Sequence, residues 1–451
     1  MAITRTTAHQ HSLLQKTLME QLNPKDPLII LASRIPWTEL CNKFTRYYSE
    51  IGRPSKDIRL MIGLLILKQM ENLSDERLVV EWTRNPYYQA FCGMIHFQWK
   101  FPCDPSDITR FRKRIGVEGC EAILKISVQL LQSDTPQEET SFAREVVIDS
   151  TVQEKAITYP TDSKLYNKVI DYAVKIGKSE GVSFRQTYPR ERRRLNRTIR
   201  FARGKKIREA VRATRTLHTY AGRVLRELER KLSPEKLEQY AAFIANGNKV
   251  LSQKKGDVDR IYSLSEPQVA CITKGKHGKK HEYGSKASLC MDKRTCAIVG
   301  VASFIGNPHD SSTLEKTLES VLRMTGKSPA TAFCDRGYRG KEEVCGTKIV
   351  LPKAPARSDT EKQRKEARKN FGRRSAIEPV IGHLKNDFRM ARNFLKGAVG
   401  DSINLIMAAA AFNFRKWLPA LTSIAVFCFV KAFSGLQALF IPEETHLKFV
   451  V

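Results

Sequence analysis

The segment RRSAIEPVIGHLKNDFR, residues 373–389, has the spacing of a helix with one charged face. Arg374, Glu378 and Lys385 are separated by four and then seven residues, so in a helix they lie on the same side. Pro379 fits only if the helix begins just before it, where a backbone N–H has no helical partner. Glu378 is therefore predicted in the first turn, with a cation on either side. Taken alone, this spacing is more often a solvated face of paired charges.

An apolar stripe on the same helix and two apolar segments upstream predict a sheet on which the helix packs. The first segment, residues 146–148, has the continuous apolar run of a strand buried on both faces and is followed by Asp149. The second, residues 331–334, is followed by Asp335. Each aspartate is expected at the end of its strand, where an Asp that merely closes a turn is also common. The stripe consists of Ile377, Ile381, Leu384 and Phe388.

Carboxylates at two strand ends and one helix start can meet at one edge of a sheet. Asp149, Asp335 and Glu378 occur in that order, which is the arrangement that a two-metal phosphoryl-transfer site needs. Oxygen ligands suit Mg²⁺, and Mn²⁺ is expected to substitute for it. The sequence thus predicts that these three residues are both catalytic and metal-binding, with two ions at the site. Asp310, in contrast, is predicted to cap a helix, as Ser312 could also do.

The composition points to a polyanionic partner. The chain has 451 residues, a net charge of +30 and a pI of about 9.8. Nucleic acid is the first candidate because Lys and Arg neutralise phosphates. An anionic membrane surface fits less well because the basic residues are spread through the chain rather than clustered beside an apolar segment.

The cysteines and the termini exclude several classes of protein. The ten cysteines include no CxxC pair, which predicts reduced thiols in the cytoplasm and neither a disulfide framework nor a zinc site. The polar N-terminal segment lacks the apolar core of a signal peptide. Residues 421–441 approach the length of a membrane span, but polar residues interrupt them, so buried helices are expected instead.

Three regions are predicted. Residues 1–135 read as an all-α N-terminal domain that either reads DNA or forms a plain helical bundle, with Arg112 and Lys113 as candidate DNA contacts. Residues 143–418 form the α/β catalytic domain, and residues 419–451 form an apolar C-terminal tail.

A basic helical insertion is predicted at about residues 165–255, inside the catalytic domain. Its cationic residues alternate with apolar ones, so one side packs while the other tracks phosphates. A solvated charged face is the ordinary alternative. The candidate DNA contacts are Arg192, Arg193, Arg194, Lys205 and Lys206.

Taken together, these motifs resemble the bacterial insertion-sequence DDE transposases with an RNase H-like core. The first Asp motif is VIDST at 147–151 and the second is FCDRGYRG at 333–340. Glu378 follows Asp335 by 43 residues. The chain is most similar to the group with a Tyr-x2-Arg-x3-Glu-x6-Lys signature, although Phe371 replaces the tyrosine. Tyr338 is a candidate source of the missing hydroxyl, and stacking of the Phe371 ring on a base or sugar would survive the change.

The resemblance implies a fold, an activity and partners. The fold is α/β, an RNase H-like mixed sheet with flanking helices, the helical basic insertion and the all-α N-terminal domain. The expected substrate is double-stranded DNA, both the terminal inverted repeats and the target. Water would cleave the transposon end and the freed 3′-OH would attack the target, with Arg374 and Lys385 positioning phosphates. A homodimer or higher oligomer, a location at the cytoplasmic nucleoid and no membrane partner are expected.

Two other functions remain compatible with the residues. A metal-dependent nuclease or resolvase would use the same carboxylates and cut DNA without joining it. A non-catalytic DNA-binding product of a degenerate element would bind DNA without cutting it.

Overall fold

The computed structural model describes residues 16–49, 51, 54–133, 142–273, 281–352 and 360–440. From residue 419 onward the backbone alone is described, as also at residues 205, 366, 367, 369 and 370.

The N-terminal region is helical, as predicted. Ser74 caps α5 by accepting a hydrogen bond from the backbone N–H of Arg77. Asp57 caps α4, because its carboxylate accepts a hydrogen bond from the backbone N–H of Leu60. The helices are α1 Leu18–Gln21, α2 Pro27–Arg34, α3 Trp37–Thr45, α4 Ile58–Met70, α5 Asp75–Arg84, α6 Pro86–Phe91 and α7 Pro105–Ser133, which is broken at Gly116.

Seven strands form one mixed sheet. The strands are β1 Glu145–Glu154, β2 Ala270–Thr273, β3 His281–Asp292, β4 Ile298–Phe304, β5 Thr331–Phe333, β6 Glu343–Val344 and β7 Thr347–Val350. The central order is β3-β1-β5-β7, with β2 and β4 both paired to β3 and β6 paired to β7. β3 runs antiparallel to β1 and β4, whereas β5 runs parallel to β1 and β7. This is the RNase H-like α/β arrangement that the resemblance implies.

Strand β1 is longer than the sequence suggests, and this changes the position of Asp149. The strand was expected to end at Asp149, but it continues to Glu154 because β3 pairs with it over residues 146–154. On its other side, β5 pairs only with residues 145–147 of β1. Asp149 therefore lies in the middle of β1, on the part of the strand that extends past the end of β5.

Five helices lie between β1 and β2. They are α8 Asp162–Ser179, α9 Pro189–Arg200, α10 Ile207–Lys231, α11 Pro234–Gln239 and α12 Ala241–Ser252, with a 3₁₀ turn at Gly204–Lys206. Helices α8, α10 and α12 pack around their own apolar cluster, which includes Val169, Leu225 and Val250. The insertion thus carries a core of its own beside that of the sheet.

The remaining helices cover the sheet. They are α13 Asp310–Thr325, α14 Glu361–Gly372, α15 Ile377–Asn386 and α16 Gly397–Phe440. Helix α16 packs against α7, α4 and β4, and one continuous cluster of buried side chains joins the N-terminal helices to the sheet. The boundary expected at residue 418 falls inside α16; the proposed division into three regions stays a prediction. Within the described residues, no helix is long and apolar enough to cross a membrane.

Candidate active site

Asp149 and Asp335 lie side by side at one end of the sheet. Val147 of β1 pairs with Phe333 of β5 in parallel register, and each aspartate is the second residue after that pair. Asp335 caps a 3₁₀ turn at Arg336–Tyr338, and its Oδ1 accepts a 2.8 Å hydrogen bond from the N–H of Gly337. Parallel neighbours bring equivalent positions to the same edge, so two of the three predicted carboxylates meet there.

Asp310 joins this end of the sheet. The prediction that Asp310 caps α13 was wrong, because His309 is the cap residue and Asp310 begins the helix. The Oδ1 atom of Asp310 accepts hydrogen bonds from Ser150 Oγ at 2.6 Å and from Lys286 Nζ at 2.8 Å. Lys286 is buried within β3 and also donates to the carbonyl of Pro308 at 2.6 Å. The carboxylate thus ties the start of α13 to β1 and β3.

The free oxygen of Asp310 faces Asp335. A Cβ atom placed on Gly337 would lie 3.0 Å from both Asp310 Oδ2 and Asp335 Oδ1. The absence of a side chain at Gly337 therefore leaves room for both carboxylate oxygens beside its Cα atom. A larger residue at this position would push against both of them.

Tyr338 places an unsatisfied hydroxyl among these acids. Its side chain is 1 % exposed, and its hydroxyl has no hydrogen-bond partner among the described residues. Burial raises the pKa of Tyr338 well above its usual value, and the negative charges of Asp149, Asp310 and Asp335 raise it further. Buried hydroxyls are usually hydrogen-bonded, so the Tyr338 hydroxyl is available to a water molecule or to another bound group.

The donor atoms at this end of the sheet suit a hard cation. Carboxylate oxygens and a hydroxyl are the ligand type that Mg²⁺ and Mn²⁺ prefer. In the part of the chain that the structure describes, however, no set of three or more His, Cys, Asp and Glu side chains is spaced to hold a metal ion. The two aspartates therefore fit as a partial ligand set, which a further carboxylate has to complete.

Glu378 lies on α15, which packs against β1, and among the described residues it does not form a metal-binding group with the two aspartates. As predicted, α15 begins just before Pro379, and Glu378 is in its first turn with an exposed side chain. Ile377 and Leu384 of the apolar stripe are fully buried. Arg374 lies in the 3₁₀ turn before α15 and partly offsets the rise in the pKa of Cys334, which burial, Asp335 and Asp149 cause. Arg374 is thus within electrostatic range of the residue that precedes Asp335.

Phe371 packs inside the protein. Its ring meets that of Phe333 edge to face, with centroids 6.0 Å apart. Lys293 Nζ lies 3.9 Å from the centre of the Phe333 ring. The ring expected to stack on DNA thus has a packing partner next to the Asp335 strand end. The hydroxyl that a tyrosine would carry at 371 is not needed for this contact.

The candidate DNA contacts differ in how accessible they are. Arg112 is 7 % exposed, and its guanidinium binds the carboxylate of Asp75 at 2.9 Å together with Lys68. This buried ion pair contradicts the prediction that Arg112 contacts DNA. Lys113, next to it, is exposed, and Lys385 is half-buried with its Nζ 4.0 Å from Glu282.

The cationic residues predicted in the insertion are also unequal. Arg192 binds Asp171 at 2.6 Å and Asn167 at 2.9 Å, and its side chain is only 16 % exposed. Arg194 is exposed but pairs with Glu191 at 2.8 Å. Arg193 and Lys206 are exposed, and the side chain of Lys205 lies outside the described residues.

The sequence analysis missed Lys286 and Ser150 and misjudged Asp310. The available signal was the lysine near the start of the strand segment SKASLCM at 285–291, since a charge inside a buried strand needs a partner. Its partner, Asp310, follows β4 and could not be identified without the pairing of the strands.

Comparison with known proteins gives two family matches. Residues 16–114 match the family described as "Transposase domain (DUF772)", and residues 262–414 match the family described as "Transposase DDE domain". The second match covers β2 to β7, Asp335 and Glu378. An uncharacterized protein, ORF8 in the nfe locus of Rhizobium meliloti, is 42 % identical over 191 residues, which are 42 % of this chain and 91 % of that protein. No solved structure matches the chain significantly.

Proposed function

The chain belongs to the insertion-sequence DDE transposases, and from this premise we propose that it cuts DNA at transposon ends and joins the 3′-OH to target DNA. The observation that carries the proposal is the placement of Asp149 and Asp335 two residues beyond the Val147–Phe333 pair, beside the orphaned hydroxyl of Tyr338. Members of this family act on DNA and generally use divalent metal ions. The net charge of +30 supports the same partner.

Each acidic residue has a proposed role. Asp149 within β1 and Asp335 just after β5 would hold divalent cations, and Glu378 would complete the ligand set from α15. Two Mg²⁺ or Mn²⁺ ions, when bound, would activate the attacking oxygen and stabilise the leaving oxygen of an in-line displacement. Because β1 and β5 are buried and paired, the two aspartates keep their positions while DNA enters and leaves.

Basic residues beside the acids would position the substrate. Arg374 is within electrostatic range of Cys334, whose pKa it lowers, and Lys385 lies about two turns after Glu378 on α15. A guanidinium can grip two phosphate oxygens at once, whereas an ammonium acts as a point charge. We propose that Arg374 holds the phosphate to be cut and that Lys385 holds one further along the strand. Terminal-repeat recognition, an oligomeric synaptic complex and a location at the nucleoid belong to the same proposal.

A strand-cleavage assay tests this function. The substrate is a labelled duplex that carries the DNA flanking the coding sequence, incubated with Mg²⁺, Mn²⁺ or EDTA. We expect nicking and joined products with either metal, and loss of both in Asp149→Asn, Asp335→Asn and Glu378→Gln, with DNA binding retained. Asp387→Asn serves as a matched control because this exposed carboxylate lies just after the same helix.

Each outcome assigns a function. Cutting without joining would indicate a nuclease, and binding without cutting in either metal would indicate a non-catalytic DNA-binding protein. Loss of DNA binding in the carboxylate variants would mean that these residues support the fold instead of the reaction.

A further inference from the structure

The insertion contains a cleft lined by four arginines. Its volume is about 570 Å³, and its lining also includes Gln186, Tyr188 and Glu227. Three of the arginines occur at spacings of three and four residues, so they lie on one face of α10. The fourth precedes α9. The four are Arg185, Arg223, Arg226 and Arg230.

The guanidinium groups in this cleft outnumber its acidic residues. Among the described residues, none of the four guanidinium groups forms a side-chain hydrogen bond or an ion pair within 4.0 Å. Glu227 is the one acidic residue lining the cleft, and its Oε1 already accepts from Lys231 Nζ at 2.7 Å and from the N–H of Arg185 at 2.9 Å. Four like charges around one cleft repel one another, so a polyanion bound there would relieve that repulsion.

The cleft is also held in shape before any ligand binds. Lys231 donates to the carbonyl of Ser183 at 2.6 Å, so α10 is tied to the segment that carries Arg185. The rings of Tyr188 and Tyr220 stack with centroids 3.9 Å apart. Tyr188 has a φ of 55°, a conformation that costs a non-glycine residue about 1 kcal/mol. The Tyr188–Tyr220 stack holds this turn in its strained conformation. Ligand binding would therefore cost little further conformational entropy.

Two candidate DNA contacts on the neighbouring helix α9 already have acidic partners. Arg192 and Arg194, which the sequence suggested as DNA contacts, are paired with Asp171 and Glu191. A guanidinium that is already paired gains less from a phosphate than an unpaired one does. Two of the three candidate cations of α9 are therefore already paired, whereas the α10 guanidinium groups that line the cleft have no ion-pair partner among the described residues.

We infer that the cleft formed by Arg185, Arg223, Arg226 and Arg230 binds the phosphate backbone of DNA. Planar guanidinium groups suit phosphate oxygens, and four of them around one cleft can contact consecutive phosphates of a strand. This inference rests on the proposed function, since it gives the insertion the task of holding the DNA that the carboxylates cut.

Salt-dependent binding tests this inference. Affinity for a fluorescein-labelled duplex of mixed sequence is measured in EDTA over a range of NaCl concentrations. One variant carries Gln at the three α10 arginines. The matched control loses three charges at exposed cations that each have a carboxylate partner, through Lys249→Gln, Arg323→Gln and Arg415→Gln.

We expect the cleft variant to bind more weakly and its slope of log affinity against log salt to fall by about 2 to 3, because each lost phosphate contact removes about 0.9. The control should stay close to the wild-type slope. Equal slopes for the two variants, or an unchanged slope for the cleft variant, overturn the inference. EDTA prevents cleavage, so the result does not depend on whether Asp149, Asp335 and Glu378 are catalytic. A wild-type chain that binds no duplex would overturn both proposals.

Discussion

Replacement of Asp401 by alanine should destabilise the protein strongly, because it breaks a buried ion pair at the end of the strand that carries Asp149. Lys155 directly follows β1, and its Nζ lies 2.6 Å from Asp401 Oδ1 and 3.3 Å from Glu266 Oε2. The side chains of Lys155, Asp401 and Glu266 are 3 %, 4 % and 7 % exposed. Asn393 donates a further 2.6 Å hydrogen bond to Asp401.

The loss in the free energy of unfolding depends on which charges and hydrogen bonds remain after Asp401 is replaced by alanine. Removal of one partner of a buried ion pair costs about 3–5 kcal/mol because the other charge stays buried without compensation. Glu266 still neutralises part of the Lys155 charge, which favours the lower end, while the lost hydrogen bond from Asn393 adds about 1 kcal/mol. Burial raises the pKa of Asp401 and Lys155 opposes that rise, so the charged pair carries a desolvation penalty as well. We expect a loss of about 3–4 kcal/mol for Asp401→Ala.

Urea unfolding followed by circular dichroism measures this loss. Lys155→Met should destabilise the protein more than Asp401→Ala does, because it leaves two buried carboxylates without a cation. Glu39→Ala is the control, since the Glu39–Lys43 pair on α3 is about half exposed and such pairs contribute less than about 1 kcal/mol. An Asp401→Ala midpoint within the range of the Glu39→Ala control would refute the argument, and so would a smaller effect for Lys155→Met.

Three further predictions concern single sites. Asp310→Asn should lower the free energy of unfolding by about 2 kcal/mol, because Lys286 loses its carboxylate; urea unfolding within experimental error of wild type would contradict this. Gly284→Ala should prevent folding, since its Cβ would lie 1.9 Å from the carbonyl oxygen of Gln153. The Cβ of Gly382→Ala on α15 meets no atom within 4 Å, so the free energy of unfolding should rise by about 0.5–1 kcal/mol. Soluble yield and thermal unfolding measure the two effects. Burial raises the pKa of Cys120 to about 12, so the neutral thiol stabilises the folded state below pH 9 and this stabilisation is lost as the pH rises toward 12. When the pH rises from 8 to 10.5, the free energy of unfolding of Cys120→Ala should therefore fall by about 2 kcal/mol less than that of the wild type, as measured by urea titrations.

Local patterns were sufficient for most elements. The apolar run at 146–148 and the segment 331–334 are strands, and the stripe on residues 377–388 packs inward, because these signals depend on the residues' own spacing. The length of β1 was not predictable, since its second half is a strand only through pairing with β3. Register between distant strands is a tertiary property.

The site was predicted in part for a related reason. Asp149 and Asp335 could be proposed because each follows an apolar run, but Asp310 stands in a sequence context that is equally suited to a helix start. The position of Asp310 in the site depends on its contacts with Ser150 of β1 and Lys286 of β3. Arg112 shows the opposite error, because its acidic partner Asp75 is 37 residues away and turns a candidate DNA contact into a buried pair.

The position of the insertion relates the two proposals to each other. It begins just after β1, so the strand that carries Asp149 leads through Lys155 directly into the helices of the arginine cleft. The contacts of Lys155 with Asp401 and Glu266 fix that junction to α16 and to the segment just before β2. DNA bound in the cleft would therefore be held by the insertion, whose first and last segments are both linked to the buried Lys155 side chain. Loss of Lys155 should consequently impair the alignment of bound DNA with Asp149 even where the cleft itself still binds.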